Sequence, residues 1–209
     1  MPHAIASQEV TRMSVATSRK HRPSLPGKSA KDNKAGIDIA AMIRVDHAGE
    51  FGALRIYKGQ LAVLSRIPSA KDNTDSIAHM ASQEQKHFDV FSDLVRTRGV
   101  RPTVLEPVWY VAGYALGAAT ALMGEKAAMA CTVAVEDVID EHYARQIKIL
   151  STRPDEVGLK NIVEEFRQDE LDHRDEALAR GAKQAPFYGL LSSVIRMGCR
   201  TAIRLSERI

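Results

Sequence analysis

The chain has 209 residues, which is enough for one domain with a sizeable hydrophobic core. Its formal charge is +3, and residues 1–35, with seven Lys/Arg and two Asp/Glu, contribute +5 of it, while the remaining residues contribute −2. The rest is close to neutral, so a nucleic-acid-binding protein is disfavoured, and two cysteines without a C-x-x-C motif argue against a disulfide scaffold and favour a reducing compartment.

Residues 1–35 are predicted to be a disordered basic leader. They mix Ser, Lys, Arg, Pro and Gly without apolar periodicity, a composition that cannot form a packed core. A basic segment with few acids is also typical of a mitochondrial transit peptide, and this alternative stays open. The folded domain is predicted to comprise residues 36–209.

Four later segments have core-type residues at steps of three, four or seven, which places these residues on one face of a helix. Four such faces predict an all-α protein built on a four-helix bundle. The first two segments carry Ile43, His47, Glu50, Leu54, Tyr57, Leu61 and Leu64, then Ile77, Met80, Glu84, His87, Phe91 and Leu94. The other two carry Met129, Glu136, Tyr143, Ile147 and Leu150, then Val163, Phe166, Glu170, His173 and Ala177.

Prolines mark the predicted turns of two helical hairpins. Two residues on antiparallel helices lie at the same height when the turn is midway between them. The midpoint of Glu50 and Glu84 adjoins Pro68, and the midpoint of Glu136 and Glu170 adjoins Pro154. Because proline terminates helices, each hairpin is predicted to bring its two glutamates level.

Residues 107–124, between the hairpins, contain no charged side chain. Their length is marginal for a membrane span of about 20 residues, and Gly and Ala dilute their hydrophobicity. Trp109, Tyr110 and Tyr114 cluster near one end, as aromatics do at membrane interfaces. The sequence leaves open a buried crossover that includes the start of the third bundle helix, or a segment in the membrane interface; a true span is disfavoured.

Residues 187–209 are predicted to form a further, C-terminal helix. Its apolar residues are interleaved with Arg196, Arg200, Arg204 and Arg208, which recur at every fourth position and form a basic stripe. Such a helix could cap the bundle or rest on anionic lipid.

One pattern of potential ligands occurs twice. Glu50 is followed 34 residues later by a Glu-x-x-His, and the whole arrangement recurs after 86 residues. Ferritin-like carboxylate proteins bind two metal ions with one Glu from each of two helices and Glu-x-x-His from each of the other two. The candidate ligands are Glu50, Glu84, His87, Glu136, Glu170 and His173.

All six candidates lie on the predicted core faces, where uncompensated carboxylates would be costly. Two divalent ions would balance four glutamates. Carboxylate and imidazole ligands without thiolates suit iron or manganese better than structural zinc. The spacing therefore predicts a two-metal centre inside the bundle, but does not choose between an oxygenase, a ferroxidase and a peroxidase.

Two other histidines and three acids are candidates for supporting roles, and the repeat helps to judge the histidines. The counterpart of His47 at the 86-residue offset is Val133, so His47 is not expected to be a ligand. His142 and Tyr143 are candidates for a substrate contact or an outer hydrogen bond, while a proton relay or a satisfied core histidine are alternatives for His142. A further set of acids could hold the ligand imidazoles by hydrogen bonds: Asp46, Asp169 and Asp172.

Five stretches of the chain resemble the signatures of the demethoxyubiquinone hydroxylase family of ubiquinone biosynthesis. The resemblance extends over roughly residues 37–209 and includes all six candidate ligands. Asp140 and Glu141, just before His142, are more acidic than the family pattern suggests. The stretches are residues 43–61, 84–91, 133–143, 166–177 and 198–209.

The resemblance implies two iron ions, with Glu84 and Glu170 shared between them. It also implies hydroxylation of a demethoxy polyprenyl benzoquinol by dioxygen with NADH as reductant. The expected location is peripheral, on the cytoplasmic face of a bacterial membrane or the matrix side of the mitochondrial inner membrane, with other ubiquinone-biosynthesis proteins as potential partners. A ferritin-like iron oxidase or peroxidase and a non-catalytic quinone-binding scaffold remain alternatives.

Overall fold

The structure, a computed structural model, describes residues 38–209. This range contains no β-strand, and the predicted all-α class is confirmed. The predictions for residues 1–35 lie outside the described residues. The helices are α1 (Ile39–Leu64), α2 (Lys71–Arg98), α3 (Glu106–Leu122), α4 (Glu125–Leu150), α5 (Val157–Ala179) and α6 (Tyr188–Ser206).

Local sequence explains where α1 begins and where α2 ends. The Asp38 carboxylate accepts hydrogen bonds from the backbone N–H groups of Ala40 and Ala41 at 3.0 and 3.2 Å, and so caps the free N–H groups of α1. Helix α2 ends at Gly99, which adopts a left-handed conformation with φ 63°. Glycine tolerates this conformation because it has no Cβ.

The two hairpins have their turns where the prolines predicted them. Helix α1 packs along α2, and α4 packs along α5. Each connection contains one short 3₁₀ turn that opens on a proline, Pro68–Ala70 in the first hairpin and Pro154–Glu156 in the second. The prediction of proline-centred turns is confirmed, and the helices α1, α2, α4 and α5 are the four that carry the repeated Glu and His residues.

Helix α3 is a separate element that packs along α1. The third bundle helix, α4, begins at Glu125, directly after Gly124 with φ 113°. The crossover prediction, in which residues 107–124 include the start of this helix, is therefore wrong on this point. Backbones of α1 and α3 approach closely: a Cβ on Gly117 would lie 1.9 Å from the Ile56 carbonyl oxygen, and one on Gly59 would lie 2.2 Å from the Tyr114 carbonyl oxygen. Gly117 of this segment and Gly59 of α1 are thus packing residues.

The outer face of α3 is apolar and exposed, and so is one face of α6. Val111 on α3 is 65% exposed, and Phe187, just before α6, is 80% exposed. This α3/α6 apolar face consists of Val108, Tyr110, Val111, Tyr114, Leu122, Phe187, Leu190, Val194 and Met197. The crossover is therefore only partly buried. Among the helices of residues 38–209, none combines the length and hydropathy needed to cross a membrane.

The predicted C-terminal helix is confirmed as α6, and it packs on α4. Two arginines of its basic stripe point to α4 rather than outward: Arg196 contacts Asp137 at 3.1 Å, and Arg200 contacts Glu141 at 3.0 Å. The acidic residue before His142 thus has a cationic partner on the neighbouring helix.

Candidate metal centre

The structure brings all six candidate ligands together inside the bundle. Glu50 lies on α1, Glu136 on α4, and one Glu-x-x-His pair on each of α2 and α5. Each side chain is buried, with no residue more than 2% exposed. On a helix, residues three apart project from nearly the same face. The Glu and His of each pair therefore point into the same space.

The six residues form two overlapping groups. In each group, one potential ligand atom from every residue lies within 4.8 Å of the others. Glu84 and Glu170 belong to both groups, which is the geometry expected of carboxylates shared by two ions. The first group, called position 1, adds Glu50 and His87, and the second, position 2, adds Glu136 and His173.

Both imidazoles present Nδ1 to the carboxylates. His87 Nδ1 lies 3.3 Å from an oxygen of Glu170 and 3.6 Å from an oxygen of Glu50. His173 Nδ1 lies 3.1 Å from Glu84 and 3.4 Å from Glu170. The nitrogen that would bind a metal is therefore the same atom in both histidines.

The opposite nitrogen, Nε2, bonds to a different residue in each half. His87 Nε2 lies 3.0 Å from Asp169 Oδ2, and His173 Nε2 lies 3.2 Å from Gln83 Oε1. Asp169 was one of three acids considered for this role, whereas Gln83 was missed. The missed signal is the repeat itself, because Gln83 and Asp169 each precede the shared Glu of their helix and are 86 residues apart.

The other two acids considered for this role have different partners. Asp172 accepts a hydrogen bond from Gln168 at 2.9 Å on the same helix. Asp46 lies 3.1 Å from His142 Nε2 and accepts a hydrogen bond of 2.7 Å from Gln146. Neither acid contacts a ligand imidazole, so the suggestion that they hold these rings is wrong.

Two tyrosines donate hydrogen bonds from one hairpin to the other. Their acceptors are Glu50 and Glu136, called the terminal glutamates because each belongs to only one of the two positions. Tyr143 on α4 donates to Glu50 on α1, and Tyr57 on α1 donates to Glu136 on α4 at 2.8 Å. Tyr143 was a predicted candidate, and Tyr57 is its counterpart at the 86-residue offset. The pseudo-symmetry of the sequence therefore extends beyond the six candidate ligands.

His47 and His142 lie outside both groups. His47 is buried beside Phe88, with 4.9 Å between ring centroids, as expected from its lack of a counterpart. His142 forms the buried cluster with Asp46 and Gln146 and contacts no candidate ligand in the described residues.

The electrostatics of the six candidate ligands favour the binding of cations between them. Burial and the charge of Glu170 raise the pKa of Glu84 and Glu136 well above the usual value. Burial lowers the pKa of His87, but the carboxylates of Glu170 and Glu50 beside Nδ1 outweigh this effect and raise the pKa to about 11. Without cations, the cluster must therefore retain protons.

Unpartnered atoms support the same conclusion. The carboxylate oxygens Oε2 of Glu50 and Glu136, both oxygens of Glu84 and Glu170, and Nδ1 of each histidine are buried without a hydrogen-bond partner. Such buried acceptors are costly unless they coordinate something. Oxygen and imidazole donors without thiolate fit iron or manganese.

An apolar cavity of about 410 Å³ lies between α1, α3, α4 and α6. Its wall includes Gly49 and Val135, the residues immediately before Glu50 and Glu136. Trp109 of α3 and Val194 of α6 also line it, and Val194 belongs to the α3/α6 apolar face. The cavity is thus lined by the residues that precede two candidate ligands in the sequence and by a residue of the α3/α6 apolar face.

Comparison with known proteins identifies the family. Residues 38–206 match the model of the ubiquinone biosynthesis protein COQ7 family. The chain is 49% identical over 187 residues to the 3-demethoxyubiquinol 3-hydroxylase of Rhodospirillum rubrum, covering 87% of this chain and 86% of that protein. It is 48% identical over 180 residues to the human NADPH-dependent 3-demethoxyubiquinone 3-hydroxylase, mitochondrial, covering 85% and 81%. The chain therefore belongs to the COQ7 family of ubiquinone biosynthesis proteins.

Proposed function

We propose that this protein is a two-iron monooxygenase that hydroxylates a demethoxy polyprenyl benzoquinol with dioxygen, in a late step of ubiquinone biosynthesis. The observation that carries the proposal is the pair of overlapping ligand groups, which share Glu84 and Glu170 inside a closed bundle. The names of the relatives, which are hydroxylases of demethoxyubiquinol or demethoxyubiquinone, support the choice of substrate.

In this proposal Glu50 and His87 would hold one ion, Glu136 and His173 would hold the other, and Glu84 and Glu170 would contribute to both positions. When bound, two ferrous ions supply the electrons and the open coordination positions that reduction of dioxygen for hydroxylation requires. The protein's contribution is to fix the ligands and keep the centre dry.

The hydrogen bonds around the centre orient its ligands before a metal arrives. Tyr57 and Tyr143 restrain the terminal glutamates from the opposite hairpin. Asp169 and Gln83 hold the imidazole rings with Nδ1 directed inward. Because every one of these contacts joins the two hairpins, the site is complete only when the hairpins are docked. Ligands held in this way lose less conformational freedom on binding.

The apolar cavity is the proposed binding site for the quinol. It adjoins Gly49 and Val135 next to the metal ligands, and its lining is apolar, as a polyprenyl benzoquinol requires. The α3/α6 apolar face would rest on lipid, so that the substrate leaves the membrane without crossing water. The proposed location is peripheral, on the cytoplasmic face of a bacterial membrane or the matrix side of the mitochondrial inner membrane in a eukaryote.

The deciding experiment combines iron analysis with turnover. Purified protein is loaded with ferrous iron under anaerobic conditions, and about two iron ions per chain are expected. Demethoxyquinol, dioxygen and a reductant are then added, and the hydroxylated product is measured by mass spectrometry. The resemblance suggests NADH and the name of the human relative specifies NADPH, so both nucleotides are supplied in separate reactions.

Glu170→Ala is expected to abolish product and reduce iron content, because this carboxylate is shared by both positions. Glu165→Ala, an exposed position on the same helix, is the matched control and should behave as wild type. Rapid iron oxidation without a hydroxylated quinone would favour the oxidase alternative. Full ubiquinone production in cells that contain only the Glu170→Ala variant would favour a scaffold and refute the proposal.

A further inference from the structure

We infer that the two metal positions are unequal, and that Asp169 makes position 1 the tighter one. The inference rests on the two-metal centre proposed above and concerns how its halves differ. Asp169 and Gln83 act through the imidazoles and are therefore positioning residues.

The two halves are closely matched in their direct ligands. Each position has one terminal glutamate, one histidine and the same two shared carboxylates. Each terminal glutamate accepts a hydrogen bond from a tyrosine of the other hairpin. Each histidine directs Nδ1 inward. The pairs related by the 86-residue offset are therefore the same residue type at every ligand.

The match ends at the outer nitrogen of the two imidazoles. His87 Nε2 lies 3.0 Å from the carboxylate of Asp169, whereas His173 Nε2 lies 3.2 Å from the side-chain amide oxygen of Gln83. Both partners are acceptors, so both select the same tautomer, with Nε2–H and a free Nδ1. The outer partners therefore differ in charge while their geometry is nearly the same.

A carboxylate acceptor makes the imidazole a stronger donor to a cation than an amide acceptor does. Drawing the Nε2 proton towards a negative charge increases electron density at Nδ1, and the carboxylate also attracts the cation directly. Loss of such an outer partner typically lowers metal affinity about 10–100-fold. Since the Asp169 side chain is 34% exposed, solvent screens part of its charge. We therefore expect a difference near the lower end, about 10-fold.

Single-position variants can measure this difference without the coupling that shared ligands introduce. Glu136→Gln weakens position 2 and leaves position 1, and Glu50→Gln does the reverse. The probe is Co²⁺ followed by calorimetry and by its visible absorption, with circular dichroism to verify that each variant is folded. Co²⁺ is expected to bind about 10-fold more tightly to Glu136→Gln than to Glu50→Gln.

Exchange of the outer partners then tests the cause. Asp169→Asn is expected to lower Co²⁺ affinity about 10-fold in the Glu136→Gln background and to leave it unchanged in the Glu50→Gln background. Gln83→Glu should raise affinity in the Glu50→Gln background alone. In the otherwise wild-type chain, Asp169→Asn together with Gln83→Glu should restore two classes of site with their order reversed.

The outcomes separate this inference from the proposed function. If wild type and its variants bind no Co²⁺, the two-metal centre itself fails. If wild type binds two Co²⁺ ions but Asp169→Asn lowers both affinities equally, or neither, the centre stands and the inference is overturned. If the single-position variants do not fold, the Co²⁺ isotherms of three other chains decide. Wild type and the double variant Asp169→Asn, Gln83→Glu must each show two classes of site with different affinity. Asp169→Asn alone must show one class; any other result overturns the inference.

Discussion

Replacing Gly117 by alanine is expected to loosen α3 from the bundle. A Cβ at this position would lie 1.9 Å from the Ile56 carbonyl oxygen and 3.0 Å from the Ile56 Cα. These are backbone atoms that cannot rotate away, and a carbon normally approaches a carbonyl oxygen no closer than about 3.3 Å. Helix α3 must therefore shift by about 1 Å or more. Overpacking of this kind costs about 1–3 kcal/mol, while the higher helix propensity of alanine offsets about 1 kcal/mol.

We take the upper end of that cost because the clash involves main chain, which leaves a net loss of about 2 kcal/mol. For a domain of this size each 1 kcal/mol moves Tm by about 2–4 °C, so Gly117→Ala should melt about 4–8 °C below wild type. Gly198→Ala on α6 is the control, since its Cβ would meet nothing within 4 Å and the helix gains up to about 1 kcal/mol. A Gly117→Ala protein that melts at or above the wild-type temperature would refute the close packing of α1 on α3.

Three further predictions concern the centre and the surface. In metal-free protein, burial and the charge of Glu170 raise the pKa of Glu136, so the folded state keeps a proton that the unfolded chain has lost above about pH 4.5. The unfolding free energy should therefore fall as the pH rises from 5 to 8, and urea titrations showing a rise would contradict the burial argument. Tyr57→Phe leaves a buried carboxylate oxygen without its donor and should cost about 1–3 kcal/mol in urea unfolding, whereas Tyr110→Phe at the surface should cost almost nothing. Val111→Asp should weaken flotation of the protein with anionic vesicles, whereas Val157→Asp, on the first turn of α5, should not. Equal flotation of the two variants would show that the α3/α6 apolar face does not bind the membrane.

The repeated spacing of ligands was enough to place the six side chains in one cluster. Glu50 and Glu84 are level because the turn that contains Pro68 lies midway between them, and the second hairpin repeats this arrangement. Helical periodicity then directs each Glu and His to the same side. Both relations depend only on distances along the chain, so an inspection of the sequence can find them.

The hydrogen-bond partners of these ligands were harder to predict. Asp46, Asp169 and Asp172 are chemically equivalent candidates in the sequence, yet only Asp169 reaches a ligand imidazole. The choice depends on the rotation of α2 against α5, since Asp169 and His87 lie on different hairpins. Gln83 was missed for the same reason, although the 86-residue repeat pairs it with Asp169.

What the sequence determined by itself was the helical class, the hairpin turns and the identity of the clustered Glu and His residues, because each follows from periodicity and from residues near in the chain. Only the tertiary structure decided the position of α3 along α1, where Gly117 allows backbone to touch backbone. Only the tertiary structure also shows that Asp169, and neither Asp46 nor Asp172, reaches a ligand imidazole. It likewise shows that the α3/α6 apolar face is exposed within residues 38–209. These features depend on how helices distant in sequence rotate and approach one another, and periodicity along one helix carries no information about its neighbour's rotation.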